Sequence, residues 1–438
     1  MQWDKTVRIY FHRVASVATA LFKWVLLAVP TGLFCGAVGT AFHFLVDEAT
    51  ALRTAWPWLL WLLPAAGLGI VALYRAVRCE GLGTDDVIRS VRSGEELPLL
   101  LVPAIFLGTV LTHLCGGSSG REGAALQMGG SIGWNLSGAL HLQPHDRRTA
   151  TICGMAALFS ALFGTPLAAT LFAMMVQDVG MTFSAAFLPS FLASLIAYGV
   201  SELCGVPATR FSFAAPELSV ETALRVGVLS IACALVARLF CTVLHHTEHG
   251  LHRLWPNPWV RAVAGGSLVV LLSLGMGVGR YNGAGMGVIT AAVEQGRALP
   301  WDFLCKMLLT AVTLAAGFKG GEVVPSFFIG ATFGCCAGPL LGLPAGFSAA
   351  MGMVAVFCGA TNTLVPSIAL AFELFSGQGI ELAALACGLS YTLSGYNGLY
   401  SSQSFLTDKL RSEYRRDPSP SRARAAGADF SPEHRQSR

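Results

Sequence analysis

"GREGAALQMGGSIG", residues 120–133, lies in a long apolar region and sets Arg121 and Glu122 side by side among glycines. About two hundred positions later the chain returns to the same pattern, "GGEVVPSFFIGATFG" at residues 320–334. Each stretch opens Gly-x-Glu, passes an apolar turn and runs into a glycine-studded helix. A second pair keeps a similar spacing: "GMAALFSALFGTPLAATLFAMM" at 154–175 and "GMVAVFCGATNTLVPSIALAFELF" at 352–375. Two independent pairs at one offset mark an internal repeat.

The surrounding composition decides what kind of repeat this is. The chain has 438 residues, 54% hydrophobic and only 12% charged, with a mean hydropathy of +0.60. Soluble domains carry about 25% charged residues, so this is a membrane protein. Apolar runs at 24–45, 58–74, 99–114, 155–176, 185–200, 223–244, 262–278, 303–316 and 351–372 predict an all-α polytopic fold of roughly ten or more helical segments. An internal repeat in such a chain is the signature of a transporter. Its halves pack about a pseudo-twofold axis, and the substrate site forms where broken helices meet near the midplane.

Charge placement orients the chain. Lys5, Arg8, Arg13 and Lys23 precede the first run, and Lys409, Arg411, Arg415 and Arg416 follow the last. Both termini are therefore expected in the cytoplasm, with the protein multi-pass in the cytoplasmic membrane. The first run is too long for a signal peptide core and lacks an A-x-A cleavage pattern, so it reads as an uncleaved helix. The expected organisation is a cytoplasmic segment at 1–23, a first transmembrane repeat at 24–210, a second at 211–405 and a disordered cytoplasmic tail at 406–438. That tail is rich in Arg, Ser and Pro and poor in apolar residues. The 12 cysteines are scattered without C-x-x-C spacing, which fits small-residue packing and neither a disulfide nor a zinc framework.

The glycine loops are where chemistry is expected, because non-helical backbone in a bilayer is tolerated only when it is buried in protein or lines a cavity. Gly116, Gly117, Gly120 and Gly123 permit close backbone approach. A helix starting after the loop points free N–H groups and its positive dipole end at the cavity, and such a construction binds anions. Close helix packing is the other use of membrane glycines. Glu122 tips the balance toward function, since an intramembrane carboxylate is costly. Charged, it can occupy an anion site; protonated, it can leave, which couples proton uptake to anion movement.

These residues carry a family resemblance. The block at 120–133 resembles the GREGP motif of the CLC chloride channel and transporter family. Residues 320–325, "GGEVVP", stand at its GxFxP motif, "CEGLGTDDV" from Cys79 stands at its GSGIP motif, and "NGLYSS" around Tyr400 is similar to the segment carrying its anion-coordinating tyrosine. The resemblance spans residues 25–405. It implies a homodimer of inverted-repeat subunits with broken, re-entrant helices, each subunit holding its own anion pathway. Glu122 would be the gating glutamate, and Tyr400 a hydroxyl donor to the central anion. Gly120, Arg121, Gly123, Ala124, Ala125, Leu82, Val323 and Val324 would line the anion site, with backbone N–H groups near Gly123, Ala124 and Ala125 as donors.

The departures from the family pattern point to one branch. The GSGIP serine is matched by Leu82 and its proline by Asp85; the GREGP proline is Ala124, and the GxFxP phenylalanine is Val323. No carboxylate stands near Met175 and Val176, where chloride exchangers carry an internal glutamate. The block at 317–334 resembles the fluoride-exporting branch, with Glu322 as its second glutamate and Val324 where a threonine is expected. The implied function is proton-coupled fluoride export, with Glu322 relaying the proton in place of the missing internal glutamate. A passive CLC anion channel and a chloride/proton exchanger are the alternatives. The partners are a small inorganic anion, fluoride or chloride, together with protons and the lipid bilayer; no cofactor, metal or nucleic acid is implied.

Other features read more plainly. Glu373 reads as a structural acid bonded to a neighbouring helix terminus. Lys319 either snorkels or flanks the site. His245, His246, His249 and His252 include an i, i+4 pair at metal-ligand spacing but read as a solvated helix end. "GSSG" at 117–120, with His113 nearby, matches an intramembrane serine protease pattern, but a nucleophile needs a base held by a third group. "NGAGMGV" at 282–288 reads as a turn or broken helix, because no strand precedes it.

Overall fold

The computed structural model describes residues 2–180, 183–411 and 413. Its architecture is two sets of eight α-helices. The first set is α1 (Gln2–Ala55), α2 (Leu63–Ala76), α3 (Thr84–Ser93), α4 (Leu101–Leu114), α5 (Glu122–Ala139), α6 (Pro144–Phe163), α7 (Pro166–Met175) and α8 (Phe187–Leu203). The second is α9 (Val220–Leu254), α10 (Pro258–Met276), α11 (Met286–Gln295), α12 (Asp302–Ala315), α13 (Val323–Ala337), α14 (Ala345–Thr361), α15 (Leu364–Leu374) and α16 (Ile380–Leu393). Position by position the sets correspond. α5 packs along α6 as α13 packs along α14, α1 lies on α8 as α9 lies on α16, and α4 braces α5 as α12 braces α13. Across the boundary α2 meets α10, α7 meets α15 and α5 meets α13. Equivalent elements meeting one another is what a twofold relation between halves requires.

Glycine explains why the paired helices lie so close. A Cβ on Gly129 would stand 2.2 Å from the Gly154 carbonyl oxygen of α6, and one on Gly133 would stand 2.0 Å from that of Ala150. In the second half, Gly330 faces the Gly352 oxygen at 2.3 Å and Gly334 the Ser348 oxygen at 2.1 Å. Small residues let backbones touch where lipid supplies no hydrophobic drive for association. The repeat seen in the sequence is therefore a repeat of helix–helix contacts.

Among the described residues, six helical segments are long and apolar enough to cross a membrane: Ala18–Ala55, Pro57–Ala76, Ser184–Leu203, Val220–Leu254, Pro258–Met276 and Val323–Leu341. The other apolar helices are shorter, and two of the expected spans are not single helices. The run 155–176 breaks at Gly164 (φ +67°) into α6 and α7, and the run 351–372 breaks at Asn362 (φ +58°) into α14 and α15. Each break has a residue in the left-handed region, which a helix interior does not accept. The ten residues of α7 span about 15 Å, half a bilayer. Glu373, near the end of α15, accepts hydrogen bonds from Leu167 N (3.1 Å) and Ala168 N (2.8 Å) at the start of α7. It is the helix-terminus acid that its position in an apolar segment suggests.

The expected boundary after residue 23 falls inside α1, which is continuous from Gln2. The boundary after 210 falls in the connection between α8 and α9, and residues 414–438 of the expected tail lie outside the described residues. Beyond α16 the chain turns back, and Ser404–Phe405 pairs in parallel with Asp178–Val179 in a two-stranded ladder.

Candidate anion-binding site

The two Gly-x-Glu loops meet. Gly120 N donates to Gly321 O at 2.7 Å and Gly321 N to Gly120 O at 2.9 Å, an antiparallel bridge between the halves. Only glycine fits: a Cβ on Gly321 would lie 2.3 Å from Gly123 N, and one on Gly123 would lie 2.9 Å from Gly321 Cα. The bridge sets the N-terminal ends of α5 and α13 side by side, concentrating two positive helix ends at one point. At the start of α5 the Ala125 amide is committed to Arg121 O (3.0 Å), so the loop's available donors are those of Gly123 and Ala124. This narrows the expected set, because the first helical hydrogen bond closes one residue earlier than a free terminus at Ala125 needs. On α13 the Ser326 amide is spent on Glu322 O (3.0 Å), and Pro325 has no N–H to leave unmet.

Four polar atoms around this junction are enclosed without a partner: Ser119 Oγ, Glu122 Oε1, Glu322 Oε2 and Tyr400 OH. Buried polar atoms are nearly always hydrogen-bonded, so each such atom needs an explanation. Glu122 is wholly buried, and its Oε2 accepts from Arg121 N at 2.9 Å. The Val324 amide from the opposite repeat also lies within reach of the Glu122 carboxylate. Val324 thus contributes backbone where the family pattern suggests a side-chain hydroxyl. Glu322 is the N-cap residue of α13. Tyr400 is 3% exposed and lies in the electrostatic field of both glutamates.

Tyr400 is held by a residue whose role the sequence left open. Asp85 accepts from Ser401 Oγ (2.8 Å), Ser402 Oγ (2.7 Å) and Ser402 N (2.9 Å), and Arg92 Nη2 donates to Ser402 O at 2.6 Å. Where the family motif has its proline, this chain has the clamp for its tyrosine loop. Leu82 is half-buried and packs on the core, offering no hydroxyl. The hydroxyl beside the loop belongs to Thr84. It would lie 3.2 Å from a Cβ on Gly123, and it accepts from Gln127 Nε2 at 3.0 Å. Val323 is fully buried in the core at the start of α13.

Arg121, expected among the anion-lining residues, turns away. Its Nη1 meets His43 Nδ1 at 2.8 Å and Asp47 Oδ1 at 3.1 Å on α1, which ties the loop to that helix. Lys306 was not legible as part of the site, yet it is fully buried under the loop, donating to Ser118 Oγ (3.0 Å), Tyr281 O (3.0 Å) and Gly283 O (2.6 Å). Its only sequence signal is a lone lysine in an apolar helix. Lys319 sits over the Tyr74 ring at 4.0 Å, so it flanks the site by a cation–π contact. Ser119 Oγ and His113 Nε2 are both unpartnered, so no nucleophile–base pair forms. Of the histidine run, His245 Nε2 faces Gly398 O at 2.8 Å and His246 Nδ1 faces Thr242 O at 2.9 Å. Residues 282–285 belong to the turn before α11. Met175 and Val176 carry no carboxylate; the nearby Asp178 is bound by Arg148 Nη2 at 3.2 Å, and Gln403 Nε2 donates to Val176 O at 2.9 Å.

Residues 66–395 match the voltage gated chloride channel family. The chain belongs to this family, the CLC family. It is 37% identical over 390 residues to a chloride/fluoride channel protein of Pseudomonas syringae pv. tomato, covering 87% of this chain and 86% of that one. It is 24% identical to an H(+)/Cl(-) exchange transporter of Vibrio campbellii, over 90% and 92% of the two chains. Among solved structures, a CLC-type fluoride/proton antiporter superposes with a TM-score of 0.84 at 33% identity, covering 87% of this chain and 98% of the other. A slow cyanobacterial Cl-/H+ antiporter matches with a TM-score of 0.72 at 19% identity, a likeness of fold. The CLC fold, with its inverted repeats and broken helices, accounts for the paired halves and the bridged loops.

Proposed function

We propose that this CLC protein is a proton-coupled antiporter that exports fluoride in exchange for protons. One observation carries the reading: two glutamates, Glu122 and Glu322, sit at bridged helix N-termini, each with a carboxylate oxygen left unpartnered beside an unpartnered tyrosine hydroxyl. A strongly hydrated small anion must exchange water for several donors at once. The Gly123 and Ala124 amides, the Val324 amide and the Tyr400 and Thr84 hydroxyls are those donors. Ionised Glu122 competes with the anion for them; protonated Glu122 yields the place and carries a proton. Protonated Glu322 donates to the anion and passes its proton on, a role for which the chloride exchangers' internal glutamate position has no carboxylate here.

The similarity to a chloride/fluoride channel protein and to a fluoride/proton antiporter structure supports the same choice of anion. The basic residues at both ends support cytoplasmic termini in a cytoplasmic membrane, and family membership supports a homodimer with a transport function and no enzymatic one. A passive anion channel is the second reading, favoured by the missing carboxylate near Met175 and Val176. Proteoliposomes loaded with fluoride at equal pH separate the readings. Uphill proton uptake during fluoride efflux is expected; fluoride loss with no proton movement makes the protein a channel, and chloride outrunning fluoride removes the fluoride assignment.

A further inference from the structure

At the end of α1 remote from the N-terminus, a cavity of ≈ 400 Å³ is walled by Arg53, His113, Arg121, Glu122 and Asn282, among others. Arg53 is in the last turn of α1, where a cation suits the helix dipole. That use leaves its nitrogens unexplained: the residue is only 9% exposed, and both Nε and Nη1 are enclosed with no partner. A buried guanidinium without an acceptor is strongly unfavourable, so the acceptor belongs to something that visits.

His113 has the complementary vacancy. Its Nδ1 lies 3.0 Å from Thr109 O. A carbonyl only accepts, so Nδ1 bears the hydrogen and Nε2 presents a lone pair. Nε2 is also enclosed and unpartnered. The two side chains converge on Gly283: a Cβ there would stand 3.6 Å from Arg53 Nη2 and 3.7 Å from His113 Cδ2. Gly283 has φ +63°, so the site is kept open by a residue that side chains rarely replace.

The other charges near the cavity are already engaged. Arg121 is bound to His43 and Asp47, Lys306 to Ser118, Tyr281 and Gly283, and Arg280 to Asp302. Asn282 Nδ2 donates to Gly116 O and Ser273 Oγ. Sharing the cavity wall with His113, then, are Arg53 and Asp47 from α1, Arg121 and Glu122 from the loop and α5, and Arg280 from the turn before α11, with Lys306 of α12 close enough to act on it. The fixed cations outnumber the carboxylates, and Arg53 alone among these cations keeps unpartnered donors that are enclosed.

We propose that Arg53 and His113 form a second anion site in the vestibule outside Glu122, in which Arg53 donates to a small inorganic anion and His113 Nε2 takes up one proton alongside it. The proton comes from solvent or from Glu122 and sits on the Nε2 lone pair, turning that nitrogen into a second donor to the same anion. This deepens the transport reading and rests on it for the route through Glu122, but not for binding itself.

The test uses purified full-length protein and two measurements. Fluoride and chloride binding by calorimetry, from about pH 4 to pH 8, reads the site directly; fluoride flux in oriented liposomes reads affinity from each face. Arg53→Gln removes two charge-assisted donors and is expected to weaken binding and vestibule-face affinity by roughly 10-fold or more. Affinity from the opposite face stays within twofold, and Arg53→Lys recovers part of the loss. His113→Asn keeps a donor for Thr109 O and is expected to flatten the rise in vestibule-face affinity on acidification. Unchanged vestibule-face affinity in Arg53→Gln, or equal weakening from both faces, overturns the site; an unaltered pH dependence in His113→Asn overturns the proton. Anion binding that depends on Arg53 in a protein that moves no protons would keep the site and dismiss the antiporter.

Discussion

Gly120 and Gly321 exchange backbone hydrogen bonds at 2.7 and 2.9 Å, so the glycine loops of the two repeats are in direct contact. Each glycine is followed within two residues by a glutamate or preceded by the loop that carries one. The contact sets the spacing of the two glutamates' backbones by main chain alone.

Gly321→Ala is therefore expected to be among the most damaging small substitutions, because its Cβ would stand 2.3 Å from Gly123 N. Overpacking of this kind costs about 1–3 kcal/mol. Thermal unfolding in detergent should show a lowered midpoint. Gly199→Ala, with no atom within 4 Å of its Cβ, serves as the control and should be neutral.

Glu122→Gln keeps the shape of the gate and removes its charge. Fluoride flux should persist while proton movement stops, read by a pH electrode alongside a fluoride electrode. Glu322→Gln tests the second glutamate separately. Intact proton-coupled flux in that variant would remove Glu322 from the proton path.

Asp85→Ala frees Ser401 and Ser402 and with them the segment bearing Tyr400. Fluoride affinity should fall by roughly tenfold, about the value of one hydrogen bond to a charged partner. Because Asp85 is bound to Ser401 and Ser402 and acts through them on the tyrosine loop, the ratio of protons to fluoride should stay as in the unaltered protein. A changed ratio would show that Asp85 does more than position the tyrosine.

Asp302 accepts from Arg280 Nε (2.9 Å), Arg280 Nη2 (2.5 Å), Tyr281 OH (2.7 Å) and Leu299 N (2.8 Å) and is wholly buried. Losing Asp302 leaves the Tyr281 hydroxyl and the Leu299 amide without their acceptor, at a cost of about 1–3 kcal/mol, while the Arg280 side chain, 37% exposed, can turn to solvent. Asp302→Ala should lower the unfolding midpoint sharply and loosen the turn carrying Gly283. Arg280→Ala should be milder, because Arg280 is the more exposed partner and leaves Tyr281 and Leu299 bonded to the carboxylate.

The repeat, the glycine loops and both glutamates were legible because each depends on local pattern: Gly-x-Glu at two places and glycines at helical spacing. The broken helices were not. The runs 155–176 and 351–372 are apolar throughout, and hydropathy is blind to the left-handed turns at Gly164 and Asn362. Thr84 was not legible because the family motif places its serine at Leu82, two positions earlier, while the turn into α3 brings the threonine to the loop. Arg53 and His113 come from separate helices and meet only around Gly283, a convergence no spacing rule contains. Glu373 was legible in kind, as a helix-terminus acid, but not in partner: the amides it caps lie in the other half of the chain.

That last bond has a consequence for how the protein is made. The leading amides of α7 are synthesised about two hundred residues before the carboxylate that satisfies them. Until then this terminus must be served by water or by the insertion machinery. The N-terminal repeat therefore gains the cap of α7 only when the second repeat packs against it, and a chain truncated before Glu373 would lack that cap.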